Sequence, residues 1–431
     1  QMLMTRGKSR AGMHQSESAS DAADRIEKVL QDVVSSQMIS DVPLGSFLSG
    51  GVDSSLVTAL MQRASERAVK TFSIGFEDLG YDESRHAEAV AEHLGTDHQT
   101  FRLREEYALD LIPDLAKVYG EPFADSSQIP TLLLCREARK HVTVALTGDG
   151  GDEIFGGYNR HVFAPRLWSW IASLPRVMRG RGEFLGRQLQ RAAGRDGTVR
   201  NLADRAGLST SVLNKVARFG EIAGNSASLE DVYRGLTRQC DDPGRLLRSG
   251  AKPLLDTDWG RFEDLAPAER MMALDTIGYL PSDILVKVDR AAMRASLETR
   301  APFLDARVAE AAWSLDLSHR IRGRQGKVVL RNILYRYVPR EMIERPKQGF
   351  SVPIDAWLRG PLRGWAEDLL DHDRLAACSI LDPDSVQQLW REHLSELVNR
   401  GQLLWSILML QQWLEEWEIG VANTYDAYDV L

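Results

Sequence analysis

Asp41-Val42-Pro43-Leu44-Gly45-Ser46-Phe47-Leu48-Ser49-Gly50-Gly51-Val52-Asp53-Ser54-Ser55-Leu56-Val57 reads as an apolar strand over 46–48, a tight turn at Ser49-Gly50-Gly51, and a helix opening at 52–53. The two glycines carry no Cβ and permit φ > 0, so the backbone can close around a ligand. The helix that follows aims unpaired N–H groups and the positive end of its dipole back into the turn. Ser49, Ser54 and Ser55 add hydroxyls, and Asp53 adds a carboxylate. Together they make a cradle for a phosphate-type anion with an acid beside it that can hold a metal. Neither G-x-x-x-x-G-K-[ST] nor G-x-G-x-x-G is present, which excludes the ATPase P-loop and the dinucleotide fingerprint. A glycine pair alone would be an ordinary strand–helix turn; Ser-Gly-Gly-Val-Asp-Ser-Ser after an apolar strand is far more specific.

Working outward, apolar residues at Ile26, Val29, Leu30, Val33 and Val34 have helical spacing and predict a helix over 21–38, with Asp21 as its cap. Further strands are expected at 70–76, 98–101 and 142–146, and helices at 81–94, 109–119 and 129–139. Val142-Thr143-Val144-Ala145-Leu146 is a continuous run of the kind buried on both faces of a sheet. Strands alternating with helices predict an α/β fold with a doubly wound parallel sheet. In such sheets ligands collect at the carboxyl ends of the strands. The loops after Leu48 and Leu146 and the end of the strand at Ile74 are therefore expected to meet.

The loop after Leu146 is Thr147-Gly148-Asp149-Gly150-Gly151-Asp152-Glu153-Ile154-Phe155-Gly156-Gly157-Tyr158. A solvated acidic turn would not need so many glycines directly after a buried strand. Close approach of backbone to a ligand, with carboxylates facing a metal-bound polyphosphate, accounts for both features. Asp53 and Asp152 are the expected Mg²⁺ ligands, because Mg²⁺ takes one or two carboxylates plus phosphate oxygens.

The first loop resembles the pyrophosphate-binding loop of enzymes that split ATP into AMP and pyrophosphate. Three more stretches extend the likeness: Pro281-Ser282-Asp283-Ile284-Leu285-Val286-Lys287-Val288-Asp289-Arg290, Leu297-Glu298-Thr299-Arg300-Ala301-Pro302-Phe303-Leu304-Asp305, and Arg345-Pro346-Lys347-Gln348-Gly349-Phe350. With both loops they resemble, in order, the synthetase domain of glutamine-hydrolysing asparagine synthetases. The resemblance implies a five-stranded adenine-nucleotide α-hydrolase-like sheet followed by a mostly helical C-terminal region. It implies amidation of aspartate to asparagine through β-aspartyl-AMP, with ATP as substrate and Mg²⁺ as cofactor. It places ATP on Leu48, Ser49, Gly50, Gly51, Asp53, Ser54, Ser55, Ile74, Thr147 and Gly148. Lys327 is then the cation facing the α-phosphate, although outside this context it would be a solvated surface lysine. Asp149 and Tyr158 line the same pocket. Asp149 stands where well-known members carry Glu, and Thr147 where Ser is usual, which leaves the reach of the acid open.

The 431 residues allow two lobes, expected as a linker at 1–20, the ATP-binding α/β domain at 21–160, a helical insertion at 161–265, a helical synthetase region at 266–420 and a tail at 421–431. A net charge of −8 argues against a nucleic-acid footprint, and three scattered cysteines form neither a disulfide framework nor a metal site. No secretory leader or membrane span is read, so the cytoplasm is expected. Gln1 is not an initiator methionine, and the family's glutaminase domain is expected upstream as the ammonia source. A homodimer is compatible with this reading. Leu167-Trp168-Ser169-Trp170-Ile171 could be a membrane-surface helix, but a helical excursion packing on the second lobe is the better reading. Ser126 or Ser127 is expected to cap a helix, and substrate-carboxylate recognition nearby stays open. The rival functions are an amide-forming cyclase of the same fold acting on another carboxylate (β-lactam or lasso-peptide type), a tRNA-modifying adenylating enzyme, and a non-catalytic binding module.

Overall fold

The computed structural model describes residues 17–76, 84–173, 220, 222–240, 243–248, 259–344, 352–378, 380–396 and 398–417. The start of the helix expected at 81, the motif at 345–350, the linker up to residue 16, residues 174–219 of the insertion and the tail at 421–431 lie outside them. The first elements are α1 (Ala19–Gln37), β1 (Leu44–Phe47), α2 (Val52–Ala64), β2 (Lys70–Phe76), α3 (Ser84–Leu94), β3 (Asp97–Leu103), α4 (Glu105–Leu109), α5 (Leu115–Tyr119), α6 (Gln128–Ala138), β4 (Val144–Leu146) and α7 (Gly151–Phe155). The fifth strand, β5 (Glu298–Arg300), arrives some 150 residues after β4. All five strands are parallel, in the order β3-β2-β1-β4-β5. This is the doubly wound α/β sheet expected from the alternation of strands and helices.

Its register brings the motifs together. Ser46 pairs with Thr71 on one side and with Leu146 on the other, so β1 and β4 are neighbours. The strand order turns back between β1 and β4, which makes this edge the switch point where such sheets bind ligands. β4 is wholly buried, and Leu56, Leu60 and Phe72 are at most 2% exposed. That burial fixes both loops on a rigid base.

Three local expectations are corrected. The cap of α1 is Ser18, whose hydroxyl accepts from the Asp21 amide at 3.2 Å; Asp21 is already inside the first turn. The helix expected over 109–119 is broken around Pro113, which has no N–H to give, into α4, a short 3₁₀ turn at Ile112–Asp114, and α5. Ser127 stands at the start of α6 but makes no side-chain cap; its hydroxyl accepts instead from Lys287 Nζ at 2.8 Å.

The chain gathers into two compact units that interleave along the sequence. Gln1–Ile112, Ser127–Pro165 and Thr257–Ser351 make the first, which holds the sheet and both loops. Pro113–Ser126, Arg166–Asp256 and Val352–Leu431 make the second. In the second, Trp357, Trp405 and Leu408 are buried, and the helix Gly401–Glu416 is tied to the α5 region by Gln412 Nε2 donating to Pro113 O and Trp413 Nε1 donating to Gly120 O. The apolar faces read over 386–417 thus serve packing. In the tryptophan-rich stretch Ile171 is buried and Trp170 is half exposed. Among the described residues no helix is long and apolar enough to cross a membrane.

Candidate active site

The turn after β1 is held by its own hydroxyls. Ser54 Oγ accepts from the Ser49 amide at 3.1 Å and lies 3.0 Å from Ser49 Oγ, which in turn accepts from the Gly51 amide at 3.3 Å. Gly50 has φ of 69°, and a Cβ there would press on the backbone of His86 and Ala87 at 3.0 Å. Only glycine satisfies both conditions. Ser55 is fully buried, and its hydroxyl has no hydrogen-bond partner among the described residues. Leu48 and Ile74 are buried at the ends of β1 and β2.

The glycines after β4 have a use that the sequence did not reveal. A Cβ on Gly148 would lie 2.9 Å from both Asp53 Cβ and the Ser54 amide, and one on Gly151 would lie 2.6 Å from Asp53 Oδ1. One on Gly157 would collide with Asp152 and with the Lys327 stem. These glycines let the two loops and the lysine close on each other, so their first role is contact between protein segments. Gly150, with φ of 89°, is the left-handed residue immediately before α7, the helix that carries Asp152.

Lys327 comes from a distant hairpin. Strands Ile321–Arg322 and Gln325–Gly326 pair antiparallel around Gly323-Arg324, and Gly323 has φ of 61°, the requirement of a II′ turn. Lys327 itself is left-handed at φ 55° and ψ 36°, an uncommon conformation for a residue with a side chain, and its amide donates to Phe155 O at 3.2 Å. The side chain is buried, and Nζ bonds both Asp53 Oδ2 and Asp152 Oδ1, the latter at 2.6 Å. Burial works against its charge, but Asp152 and Asp53 outweigh burial and raise its pKa above the ordinary lysine range. A solvated surface lysine is excluded. Two carboxylates from different loops converge on one cationic atom, and that donor set suits a hard divalent ion completed by ligand oxygens. Among the described residues no cluster of three or more His, Cys, Asp or Glu forms a metal site within the protein itself.

Asp149 keeps some contact with solvent yet lies deep among protein atoms. That depth raises its pKa, against the hydrogen bond from Thr147 and the charge of Lys287, while Asp53 and Asp152 push the same way as burial. Lys287 and Glu153 fall inside the quoted motifs, but the sequence reading gave neither a role. Glu153 is buried on α7, and Tyr158 donates its hydroxyl to Glu153 Oε1 at 2.5 Å. Burial pushes the Glu153 carboxyl from 4.5 up to about 7, the Tyr158 hydrogen bond notwithstanding. Burial and Glu153 likewise raise the Tyr158 hydroxyl. A carboxyl that holds its proton more tightly when folded stabilises the fold fully below about pH 4.5 and loses that contribution as pH rises through about 7. Glu153→Gln, which mimics the protonated form, is expected to stabilise the protein by about 2–3 kcal/mol at pH 8 and to leave it unchanged at pH 4.5. Denaturant titrations at the two pH values check this; an equal effect at both would contradict it.

A serine–glycine turn and an acidic glycine loop meeting at the switch point of a parallel sheet, with a buried lysine joining their carboxylates, define a doubly wound α/β protein. The chain belongs to the asparagine synthase family, whose model matches residues 25–415. It is similar to a Mycobacterium tuberculosis protein provisionally named a glutamine-hydrolysing asparagine synthetase, at 33% identity over 401 residues, covering 90% of this chain and 57% of the relative. It is 30% identical over 388 residues to the Bacillus subtilis glutamine-hydrolysing asparagine synthetase 1, covering 90% of this chain and 58% of that protein. Similarity to the Escherichia coli glutamine-hydrolysing asparagine synthetase B is 32% over 153 residues, 31% of this chain and 27% of that one. The chain thus spans a little under three-fifths of the length of the first two.

Proposed function

We propose that this chain is the synthetase portion of a glutamine-hydrolysing asparagine synthetase, a carbon–nitrogen ligase that converts aspartate to asparagine with ATP and releases AMP and pyrophosphate. The observation that carries the reading is the bridge of Lys327 to Asp53 and Asp152, one carboxylate from each loop at the switch point. The turn at Ser49, Gly50, Gly51, Ser54 and Ser55 cradles the outer phosphates through amides and hydroxyls, aided by the start of α2. Leu48, Ile74, Thr147 and Gly148 border the nucleoside. Asp53 and Asp152 would hold Mg²⁺, which when bound neutralises phosphate charge.

Lys327 offers its ammonium to the α-phosphate and stabilises the charge that builds there. The aspartate side-chain carboxylate attacks the α-phosphorus, the bond to the β-phosphate oxygen breaks, and pyrophosphate leaves. Ammonia then adds to the acyl carbon of β-aspartyl-AMP, AMP departs, and one proton is lost from nitrogen. Asp149, made more basic by its depth, accepts that proton. Tyr158 closes the pocket beside it. Ammonia comes from glutamine hydrolysed by an upstream domain, a source in keeping with the names and greater length of the relatives. The cytoplasm is the proposed location.

Pyrophosphate and AMP should appear in equal amounts when aspartate, ATP, Mg²⁺ and ammonium are supplied. ADP and orthophosphate as products would overturn the reading. Faster turnover of a carboxylate bearing its own amine would move the assignment to a cyclase.

A further inference from the structure

A further cluster adjoins the second loop. Arg160 opens the helix Asn159–Ser173, and its guanidinium lies 4.0 Å from the centre of the Tyr158 ring and 5.0 Å from that of Tyr279. The two rings also meet edge to face at 5.7 Å. Arg160 Nε donates to Asp275 Oδ2 at 2.8 Å, and the same oxygen lies 2.5 Å from His161 Nε2. Asp275 and His161 are at most 1% exposed. Asp275 and Tyr279 stand four residues apart on the π-helix Asp275–Ile284, whose wider turn sets residues at that spacing side by side.

We propose that Arg160 is a positioning residue: held by Asp275, which His161 bonds in turn, it stacks on Tyr158 and fixes that hydroxyl against Glu153, next to the carboxylate–lysine bridge. The inference rests on the proposed function for its catalytic consequence and on geometry alone for its structural one. A flat cation between two aromatic faces is held by both stacking and charge, and a lysine in its place keeps the charge without the plane. Asp275 takes up the side-chain N–H that would otherwise turn the guanidinium away from the ring. π-Helical turns are frequent at functional sites. Nothing about Arg160 in sequence marks it, since Gly-Tyr-Asn-Arg-His reads as an ordinary helix start.

The test uses Arg160→Lys, Tyr158→Phe and the double variant of the whole chain. In a crystal structure of Arg160→Lys, the Tyr158 ring is expected to leave its place and its hydroxyl to part from Glu153, whatever the activity. A Tyr158 hydroxyl still on Glu153 overturns the proposal. In pyrophosphate release, Arg160→Lys should lower kcat by about 10- to 100-fold with little change in KM for ATP. In the Tyr158→Phe background it should cost nothing further, whereas additive losses would show that Arg160 does not act through Tyr158. Should Arg160→Lys not fold, Tyr279→Leu removes one stacking face, keeps the ion pair, and is read the same way. Failure of the wild-type chain to release pyrophosphate counts against the proposed reaction, and the crystal structure still decides the role of Arg160.

Discussion

Lys327→Met is expected to reduce pyrophosphate release by about 1,000-fold, the scale of losing one preorganised charge aimed at a transition state. The residue has two partners in the structure, Asp53 and Asp152, and the proposed reaction gives it a third, the α-phosphate. Methionine fills the stem's volume, so packing is kept while charge is lost. The two carboxylates are then left facing each other in a site where each is less than one-fifth exposed. Leaving a buried ion pair without its cation costs about 3–5 kcal/mol, so the variant should also melt well below wild type.

That loss carries its own internal check. If Asp53 and Asp152 hold the metal as proposed, Mg²⁺ alone should raise the melting temperature of Lys327→Met more than that of wild type, where the ammonium competes. At 100 times its Kd a ligand adds about 2.7 kcal/mol. Turnover within tenfold of wild type would remove Lys327 from the chemistry. Equal stabilisation of both proteins by Mg²⁺ would separate Asp53 and Asp152 from the metal.

The parts of this site differ in how much of them could be read. The first loop was legible because its signal is local: glycines, serines and an acid follow an apolar strand within a few residues, and short-range sterics decide the turn. The doubly wound sheet was legible for the same reason, strand by strand. β5 was not. Glu298, Thr299 and Arg300 form a three-residue edge strand with two charges, and no periodicity can show in three residues. Its place is set by pairing with Val144, Ala145 and Leu146, a contact across more than a third of the chain. The glycines of the second loop were seen, but their purpose was read as room for a ligand; the space beside Gly148, Gly151 and Gly157 is taken by Asp53, Asp152 and Lys327. The left-handed backbone of Lys327 was equally hidden, since only the amide contact to Phe155 and the hairpin before it impose it. What the sequence lacked in each case was the identity of the partner, and a partner distant in the chain leaves no local trace.

Glu269→Ala should destabilise the protein by about 3–5 kcal/mol, the largest stability effect expected away from the loops. Glu269 and Arg320 are 1% and 0% exposed and form a direct ion pair. Arg320 also stacks at 4.9 Å over Trp313 and donates to Leu315 O at 3.4 Å. Glu269 turns its other oxygen to the Ala266 amide at 3.4 Å, at the start of the helix Pro267–Leu274. Removing the acid leaves a guanidinium buried without its counter-charge and opens the helix start as well. Arg320 directly precedes the hairpin strand Ile321–Arg322, and Ile321 packs against Gly156, so the disturbance reaches the segment that presents Lys327. Activity should therefore fall together with stability. The converse substitution decides whether charge or shape is responsible. Glu269→Met with Arg320→Met removes both charges and keeps most of the volume, and it should recover at least half of the lost stability, because a buried pair is often no better than apolar packing. Denaturant midpoints at constant m-value measure both variants. A Glu269→Ala loss below about 1 kcal/mol would place the pair in water, and a double variant as weak as Glu269→Ala would make the hydrogen bonds of the pair, and not its charge balance, the source of its stability.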